Sequence, residues 1–374
     1  MNATAEQPHS ARSAPLLLEP TRCCLCDVED VEPIGSGEDF EYHTSPDTFR
    51  AVRCRQCGLL FLDPRPAQAE LSRIYPDSYH AFDFSADRFG LVYQVRRRLE
   101  AHRLLSWCRD LPEDAHILDV GCGDGFHLEL LQAFGRPDWR LFGAEPDPRA
   151  AEMARQRGLE VFAGRIEDAP FPEASFDLAI LIQTVEHVDD PPAVLRRIRN
   201  LLAPGGRLVI VTDNADTLDA HLFGGRHWGG YHFPRHWNLF DRRTLRTLAE
   251  KVGLQVVDLS TQVSPVNWVY SIRNALVDWH APQVLVDRFS LDAPGALAAF
   301  TVLDGINQLA GRGALLRAIL ERPREPVEDE EDAHATRSDR GRGIGWPDGR
   351  PGPAPARRPG SSVRGGHPRR GART

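Results

Sequence analysis

The sequence predicts an α/β fold, in which a doubly wound parallel sheet with helices on both faces follows a small cysteine-rich module. Three observations predict it. Short apolar runs alternate with amphipathic helical segments between residues 115 and 259, a glycine-rich turn follows the first run, and two cysteine pairs lie near the N-terminus. Strands that alternate with helices are typical of a parallel sheet, because each crossover between parallel strands needs a long connection.

The composition sets the broad class of the protein. The chain has 374 residues, of which 53 are acidic and 45 basic, and 41% are apolar. This length suits two domains, and the apolar share excludes disorder throughout the chain. No apolar run reaches the ~20 residues that span a bilayer, and the N-terminus lacks the pattern of a signal peptide. We therefore expect a cytoplasmic protein without a transmembrane segment, and the net charge of −8 argues against a nucleic acid as its partner.

Changes of pattern divide the chain into six regions. In order, we expect a flexible leader at 1–20, a zinc ribbon at 21–66, a helical connector at 67–112, a ligand-binding α/β domain at 113–262, a C-terminal helical segment at 263–322, and a disordered tail at 323–374 that is first acidic and then rich in Arg, Gly and Pro. The tail has too little apolar surface to bury for it to fold.

The elements of the α/β domain follow from hydrophobic periodicity. Strands are predicted at 116–120, 139–144, 159–162, 176–181, 207–211 and 254–259, and helices at 126–134, 147–157, 191–203 and 241–252.

The glycine-rich turn is the strongest chemical signal. Asp119 lies at the end of the first strand, and Gly121, Gly123 and Gly125 follow it before the first helix. Glycines at such a turn let a ligand approach the backbone where a Cβ would clash. Glu145 ends the next apolar run about 20 residues further on, where a carboxylate is suited to accept hydrogen bonds from ribose hydroxyls.

The charge of the turn distinguishes between two adenosine ligands. The glycine spacing differs from the GxGxxG pattern of nicotinamide cofactors, and Asp124 within the turn disfavours a diphosphate. S-adenosylmethionine (SAM) carries a sulfonium and an ammonium group and no phosphate. The acidic turn therefore favours SAM over NAD.

The central domain resembles the class I SAM-dependent methyltransferases. The motifs that carry the resemblance are the turn at 117–126, the segment 167–177 before the fourth strand, the segment 183–191 after it, and the Pro-Gly-Gly turn within 202–208. The resemblance implies a Rossmann-like methyltransferase sheet over 113–262 and the following cofactor contacts: Asp119, Gly121, Cys122, Gly123 and Gly125 at the methionine part, Glu145 at the ribose, Ile166 and Glu167 at the adenine, and Gln183 as a further cofactor-binding residue. Arg165 departs from the pattern, because many relatives have an aspartate there.

The two cysteine pairs predict a structural zinc site. Cys23 and Cys26 form one CxxC unit, and Cys54 and Cys57 form the other. Four thiolates at this spacing make a closed tetrahedral site, and a reducing compartment disfavours disulfides. A redox pair or vestigial cysteines remain alternatives. The segment 52–66 resembles bacterial methyltransferases in which a zinc ribbon precedes the catalytic domain, a group that modifies deoxysugars, cell-surface glycans or secondary metabolites.

A segment rich in aromatic residues, histidines and glycines, at 223–240, follows the fifth strand and should face the transferable methyl group. If the acceptor is a hydroxyl or a carbon acid, a base must remove a proton, and histidine is suited to this near neutral pH. His236 is the first candidate base and His187 the second, with a packing role as the alternative for either. Trp228, Tyr231 and Arg235 are candidates for binding a sugar or an anionic group, with a packing role as an equal alternative for Trp228.

The pair His232 and His236 is a further candidate, for a metal site, although Pro234 between them argues against a regular helical pair.

Together these features predict a SAM-dependent methyltransferase that acts on a small-molecule or glycan-precursor acceptor by O- or C-methylation. Two alternatives remain open: a zinc-containing RNA base methyltransferase, and a non-catalytic SAM-binding partner protein. The sequence leaves the acceptor atom and the oligomeric state undetermined.

Overall fold

The computed structural model describes residues 14–76 and 86–324, without the side chains of residues 86–93, 95 and 96. The predicted tail at 323–374 lies outside the described residues except for its first two. The leader at 1–20 is described from residue 14, and there the prediction is wrong in part. Leu18–Glu19 forms a strand that pairs antiparallel with Arg65–Pro66, which ties this end of the chain to the cysteine-rich module.

The structure contains thirteen strands and ten α-helices among the described residues. The strands are β1 (Leu18–Glu19), β2 (Val31–Gly37), β3 (Phe49–Cys54), β4 (Leu60–Leu62), β5 (Arg65–Pro66), β6 (His116–Val120), β7 (Arg140–Glu145), β8 (Glu160–Ala163), β9 (Phe176–Ile182), β10 (Leu202–Asp213), β11 (Asn238–Leu239), β12 (Gln255–Gln262) and β13 (Leu315–Glu321). The helices are α1 (Leu71–Ile74), α2 (Ala86–Trp107), α3 (Phe126–Phe134), α4 (Pro148–Gln156), α5 (Pro191–Leu201), α6 (Leu218–Phe223), α7 (Arg242–Lys251), α8 (Val266–Asp278), α9 (Gln283–Val286) and α10 (Pro294–Leu309).

The central sheet has seven strands in the order β8-β7-β6-β9-β10-β13-β12. Strands β6 to β10 are all parallel to their neighbours in the sheet, except where β10 meets the antiparallel β13. The chain leaves β6 toward β7 on one side and later returns to β9 on the other. The predicted doubly wound α/β fold is therefore confirmed, with its topological switch point between the carboxyl ends of β6 and β9.

Local sequence explains where these elements begin. Strand β6 is buried along its whole length, as expected of an inner parallel strand that helices cover on both faces. Helices α4 and α5 each begin with a proline after an aspartate, Asp147 or Asp190, whose side chain accepts a backbone N–H of the first turn. Helix α7 begins with a capping box between Asp241 and Thr244.

The sequence predicted that the C-terminal segment at 263–322 is helical, and this prediction is wrong in part. Helices α8 to α10 occupy its first part, but seven residues near its end, Leu315–Glu321, form β13, which lies between β10 and β12 in the central sheet. The catalytic-domain sheet therefore extends past residue 262.

The cysteine-rich module forms a second sheet of four strands in the order β11-β4-β3-β2. Three of these strands come from the predicted zinc ribbon. The fourth, β11, comes from the aromatic-histidine segment and pairs Asn238 with Phe61 and Leu239 with Leu60. The ribbon thus holds the histidine-containing segment directly. None of the helices described here is long and apolar enough to cross a membrane.

Candidate functional site

The glycine turn lies at the carboxyl end of β6 and has the backbone that its glycines permit. Gly121, Gly123 and Gly125 have φ values of +71°, +55° and +86°. A Cβ on Gly121 would lie 2.5 Å from the Thr184 side chain, and one on Gly125 would lie 2.3 Å from Leu159, whereas one on Gly123 would meet nothing within 4 Å. The protein therefore packs closely around two of the glycines and leaves open space beside Gly123, as a ligand-binding turn requires.

Two acidic side chains border this space. Glu145, at the end of β7, accepts the backbone N–H groups of Gly123 and Asp147, each at 2.8 Å. Burial raises the pKa of Glu145 to about 7. Asp119 is buried, and its Oδ2 atom has no hydrogen-bond partner within the chain. Nδ1 of His127 lies 3.7 Å from this oxygen, which is too far for a hydrogen bond. A buried carboxylate oxygen without a hydrogen-bond donor fits the cationic ammonium group of a ligand such as SAM.

The segment predicted to lie near the adenine is held by an ion-pair cluster. Ile166 is buried, and Glu167 accepts a 2.6 Å hydrogen bond from Arg165. The same guanidinium pairs with Asp189 at 2.7 Å. Arg165, which departs from the motif of the relatives, therefore links Glu167 to the segment that follows β9. Gln183, at the start of that segment, is exposed and has a positive φ of 49°.

The segment after β9 joins the glycine turn to the candidate bases. Thr184 packs on Gly121, and one turn later the backbone N–H of His187 donates to the carbonyl of Thr184 at 3.0 Å. The backbone carbonyl of Glu186 accepts N–H groups from Trp237 and Asn238. These contacts bring the segment that contains His236 to the carboxyl end of β9.

The structure places His236 and His187 in contact, with ring centroids 4.6 Å apart. Nδ1 of His236 lies 2.8 Å from the carbonyl of Gly230, which can only accept, so Nδ1 carries the proton and Nε2 holds the lone pair. Burial, followed by the charges of His187 and His232, lowers the pKa of His236 well below its usual value. Nδ1 of His187 faces the Tyr75 hydroxyl at 2.9 Å.

Two buried acids next to the histidines had no role in the sequence prediction. Burial raises the pKa of Glu186 to about 8 and that of Asp213 to about 7. Asp213 lies 3.4 Å from Nδ1 of His236, and Oε1 of Glu186 has no partner within the chain. Strongly shifted carboxyl groups beside a histidine pair are typical of active sites. Glu186 stands within the segment 183–191, whereas Tyr75 gave no signal in the sequence.

The prediction that Trp228, Tyr231 and Arg235 bind a sugar or an anion is contradicted. All three are fully buried, and each has an internal partner. Trp228 donates its indole N–H to Asp219, and Tyr231 donates its hydroxyl to the carbonyl of Gly224. Arg235 makes a bidentate ion pair with Asp39 of the ribbon, with N–O distances of 2.9 and 3.2 Å.

The buried ion pair of Arg235 and Asp39 connects the segment that contains His236 to the ribbon. Burial alone would raise the pKa of Asp39, but the charge and hydrogen bonds of Arg235 hold this pKa below its usual range. Arg235 also donates to the carbonyl of Ile74 at 2.6 Å, and its own carbonyl lies 3.1 Å from Nδ1 of His187. The pair therefore fastens both candidate bases to the ribbon.

The structure brings the four predicted zinc ligands together. The sulfur atoms of Cys23, Cys26, Cys54 and Cys57 all lie within 4.8 Å of one another. Burial raises the pKa of the Cys26 thiol to about 11, so a bound cation is needed for all four to be thiolates at neutral pH. Their number, geometry and chemistry fit a structural zinc ion.

Ligand atoms of Glu186, His187 and His236 are similarly close. Nδ1 of each histidine faces a partner inside the chain, which fixes the ring orientations and suits Nε2 either as a base or as a metal ligand.

Comparison with known proteins identifies the central region. Residues 91–259 match a family model described as a methyltransferase domain. The ubiquinone biosynthesis O-methyltransferase of Cereibacter sphaeroides is 33% identical over 168 residues, which cover 42% of this chain and 67% of that protein. The O-methyltransferase cnsE of Penicillium expansum is 38% identical over 114 residues, or 28% of this chain and 39% of that protein. Among solved structures, a SAM-dependent methyltransferase of Thermotoga maritima, described as a possible histamine N-methyltransferase, covers 67% of this chain and 98% of its own at 20% identity and a TM-score of 0.42.

Proposed function

We propose, from the premise that the chain belongs to the class I SAM-dependent methyltransferases, that it methylates a hydroxyl group of a small-molecule or glycan-precursor acceptor with His236 as the general base. The observation that supports this most is the histidine–carboxyl cluster at the carboxyl ends of β9 and β10, which Thr184 joins to the glycine turn. The two sequence relatives named above, from Cereibacter sphaeroides and Penicillium expansum, are O-methyltransferases, which favours oxygen over carbon as the acceptor atom.

The cofactor site that we propose combines the residues of the sequence prediction. Asp119 and the backbone of Gly121, Cys122, Gly123 and Gly125 would bind the methionine part of SAM, Glu145 the ribose hydroxyls, and Ile166, Glu167 and Gln183 the adenine side. The open face of Gly123 and the oxygen of Asp119 that accepts no hydrogen bond within the chain support this assignment. SAM supplies an activated methyl group on a sulfonium.

The proposed chemical step needs one proton transfer. The acceptor hydroxyl gives its proton to Nε2 of His236 while its oxygen takes the methyl group, so the positive charge that leaves the sulfonium appears on the imidazole. His236 is neutral at physiological pH because burial and the neighbouring histidines lower its pKa. Its Nδ1–H bond to Gly230 fixes the ring and the tautomer.

The four cysteines are proposed to hold a structural zinc ion. Its place in the reaction would be indirect, because the ribbon sheet includes β11, two residues after His236. Metal analysis of the purified full chain tests this proposal: one zinc per chain is expected. A second tightly bound ion would place a metal at the cluster of Glu186, His187 and His236 and would contradict the use of His236 as the base.

The base assignment is tested by His236→Gln, assayed by release of S-adenosylhomocysteine with a panel of phenols and sugar alcohols as acceptors. A positioned base contributes about 10²–10⁴-fold, so kcat should fall by that factor while calorimetry finds unchanged SAM affinity. His102→Gln, an exposed histidine on α2, is the matched control and should keep full activity. Full activity of His236→Gln would contradict the proposal, and tight SAM binding with no turnover on any acceptor would favour a non-catalytic partner.

A further inference from the structure

Three histidines lie in a row at the proposed active site. The ring centroid of His236 is 4.6 Å from that of His187 on one side and 5.0 Å from that of His232 on the other. At the outer end of the row, Nδ1 of His232 lies 2.8 Å from a carboxylate oxygen of Glu41. Glu41 follows β2 and therefore belongs to the ribbon, not to the catalytic domain.

Rings this close cannot all be protonated, because like charges about 5 Å apart repel strongly in a partly dry environment. A proton shared among them goes to the ring with the best counter-charge. His232 has the Glu41 carboxylate in direct contact, and both side chains are only 11–14% exposed, so water screens the pair weakly. His236 instead donates its Nδ1–H to a neutral carbonyl.

We propose that Glu41 is a positioning residue for the reaction: by holding the proton of the histidine row on His232, it keeps His236 neutral and its Nε2 lone pair available to the acceptor. The zinc ribbon would thus contribute a charge to the active site as well as support for its backbone. This inference rests on the proposed role of His236 as the base.

The other charged and titratable groups around the row are compatible with this order of protonation. The groups that face His236 are Glu186, His187, Asp213, His232 and Arg235, and those that face His232 are Glu41, Tyr42 and His236. Tyr270, which lies near Arg273, donates a hydrogen bond to Glu41. Asp213 is the acid that could stabilise a proton on His236 instead, since it lies 3.4 Å from Nδ1 of that ring. Burial raises its pKa to about 7, however, which makes it a weaker counter-charge near neutral pH.

Glu41→Gln tests the inference through the sign of a pH shift. Without the carboxylate, His232 loses its proton near neutral pH and no longer repels a proton on His236. The pKa of His236 then rises, and the acid limb of kcat/KM should move up by about one pH unit, or about tenfold in rate on that limb. Simple loss of a negative charge near the base has the opposite effect, because it lowers the pKa of a histidine. A downward shift, or no shift, would overturn the inference.

Three further variants keep the test decisive if Glu41→Gln has a folding defect. His232→Gln removes the same positive charge and should move the acid limb in the same direction, and the double variant should show no additional shift. Glu38→Gln is the matched control, because this acid lies in the same loop but pairs with Arg226 at the surface. Thermal melting of each full-length variant establishes that it is folded.

Nuclear magnetic resonance titration of the histidine ring protons, without SAM or acceptor, measures the order of protonation independently of turnover. Assigned through single variants, His232 should titrate at the highest pH of the three rings and His236 at the lowest, and Glu41→Gln should bring the two together. If His236 is protonated before His232, the inference fails. If the expected order is found but His236→Gln remains fully active, the proposed base fails and, with it, the positioning role, while the charge order stands as a structural fact.

Discussion

Replacement of Gly123 by alanine should abolish SAM binding and leave the fold intact. Its φ of +55° costs an alanine about 1 kcal/mol, and the added Cβ meets no protein atom within 4 Å. A destabilisation of that size lowers Tm by about 2–4 °C in a domain of this size. The same methyl group would fill the space beside the Glu145-bound amide, where we place the ligand. A clash of about 3 kcal/mol there would weaken SAM binding by a factor of about 100 or more.

Gly125→Ala is the matched control for this prediction. Its Cβ would lie 2.3 Å from Leu159 and 3.1 Å from Ala154, so this substitution should destabilise the fold by about 3 kcal/mol, clearly more than Gly123→Ala. Calorimetric titration with SAM and thermal melting of both variants give the two quantities. If Gly123→Ala binds SAM as tightly as the parent chain, the ligand does not occupy the open face of the turn. If Gly123→Ala melts lower than Gly125→Ala, the packing argument for the two glycines is wrong.

Three further predictions concern the ribbon, the cofactor site and the joint between the domains. Cys57→Ser should remove zinc from the purified chain, measured by atomic emission, and make the ribbon sensitive to limited proteolysis; retained zinc would contradict the four-cysteine site. SAM affinity, measured by calorimetry, should fall as the pH falls through about 7, because protonation removes the negative charge of Glu145 that accepts ribose hydroxyls; Glu145→Gln should bind weakly with no such dependence. Arg235→Met should cost about 3–5 kcal/mol in chemical denaturation, since it leaves Asp39 charged and buried, and Asp39→Asn in the same chain should recover part of the loss.

The sequence predicted most of the α/β domain because its elements are local and strongly patterned. Helix 126–134 and strand 116–120 have the predicted bounds, and the other strands agree within a few residues at most ends. The sequence analysis missed strand β13. Five of its seven residues, Leu315–Glu321, are apolar, and such a short run fits a helix face or a strand equally well. Its partners, β10 and β12, are more than 50 residues away in the chain, so local pattern carried no signal for the pairing.

The sequence predicted those residues of the candidate site that lie together in one sequence motif. It did not predict those that come from distant parts of the chain and meet only in the folded protein. The glycine turn, Glu145 and the four cysteines were found from spacing alone. Tyr75 and Glu41 were missed, because their only connection to the site is contact across domains. Arg235 was misjudged for a related reason: an arginine among aromatic residues resembles a ligand-binding group until its buried partner Asp39 is known.

The most direct test of the central claim is calorimetric titration of the full, metal-analysed chain with SAM and, separately, with NAD. A methyltransferase with the proposed acidic glycine turn should bind one SAM per chain and give no heat of binding with NAD. Binding of NAD, or of neither compound, would contradict the assignment of the turn and of the cofactor together.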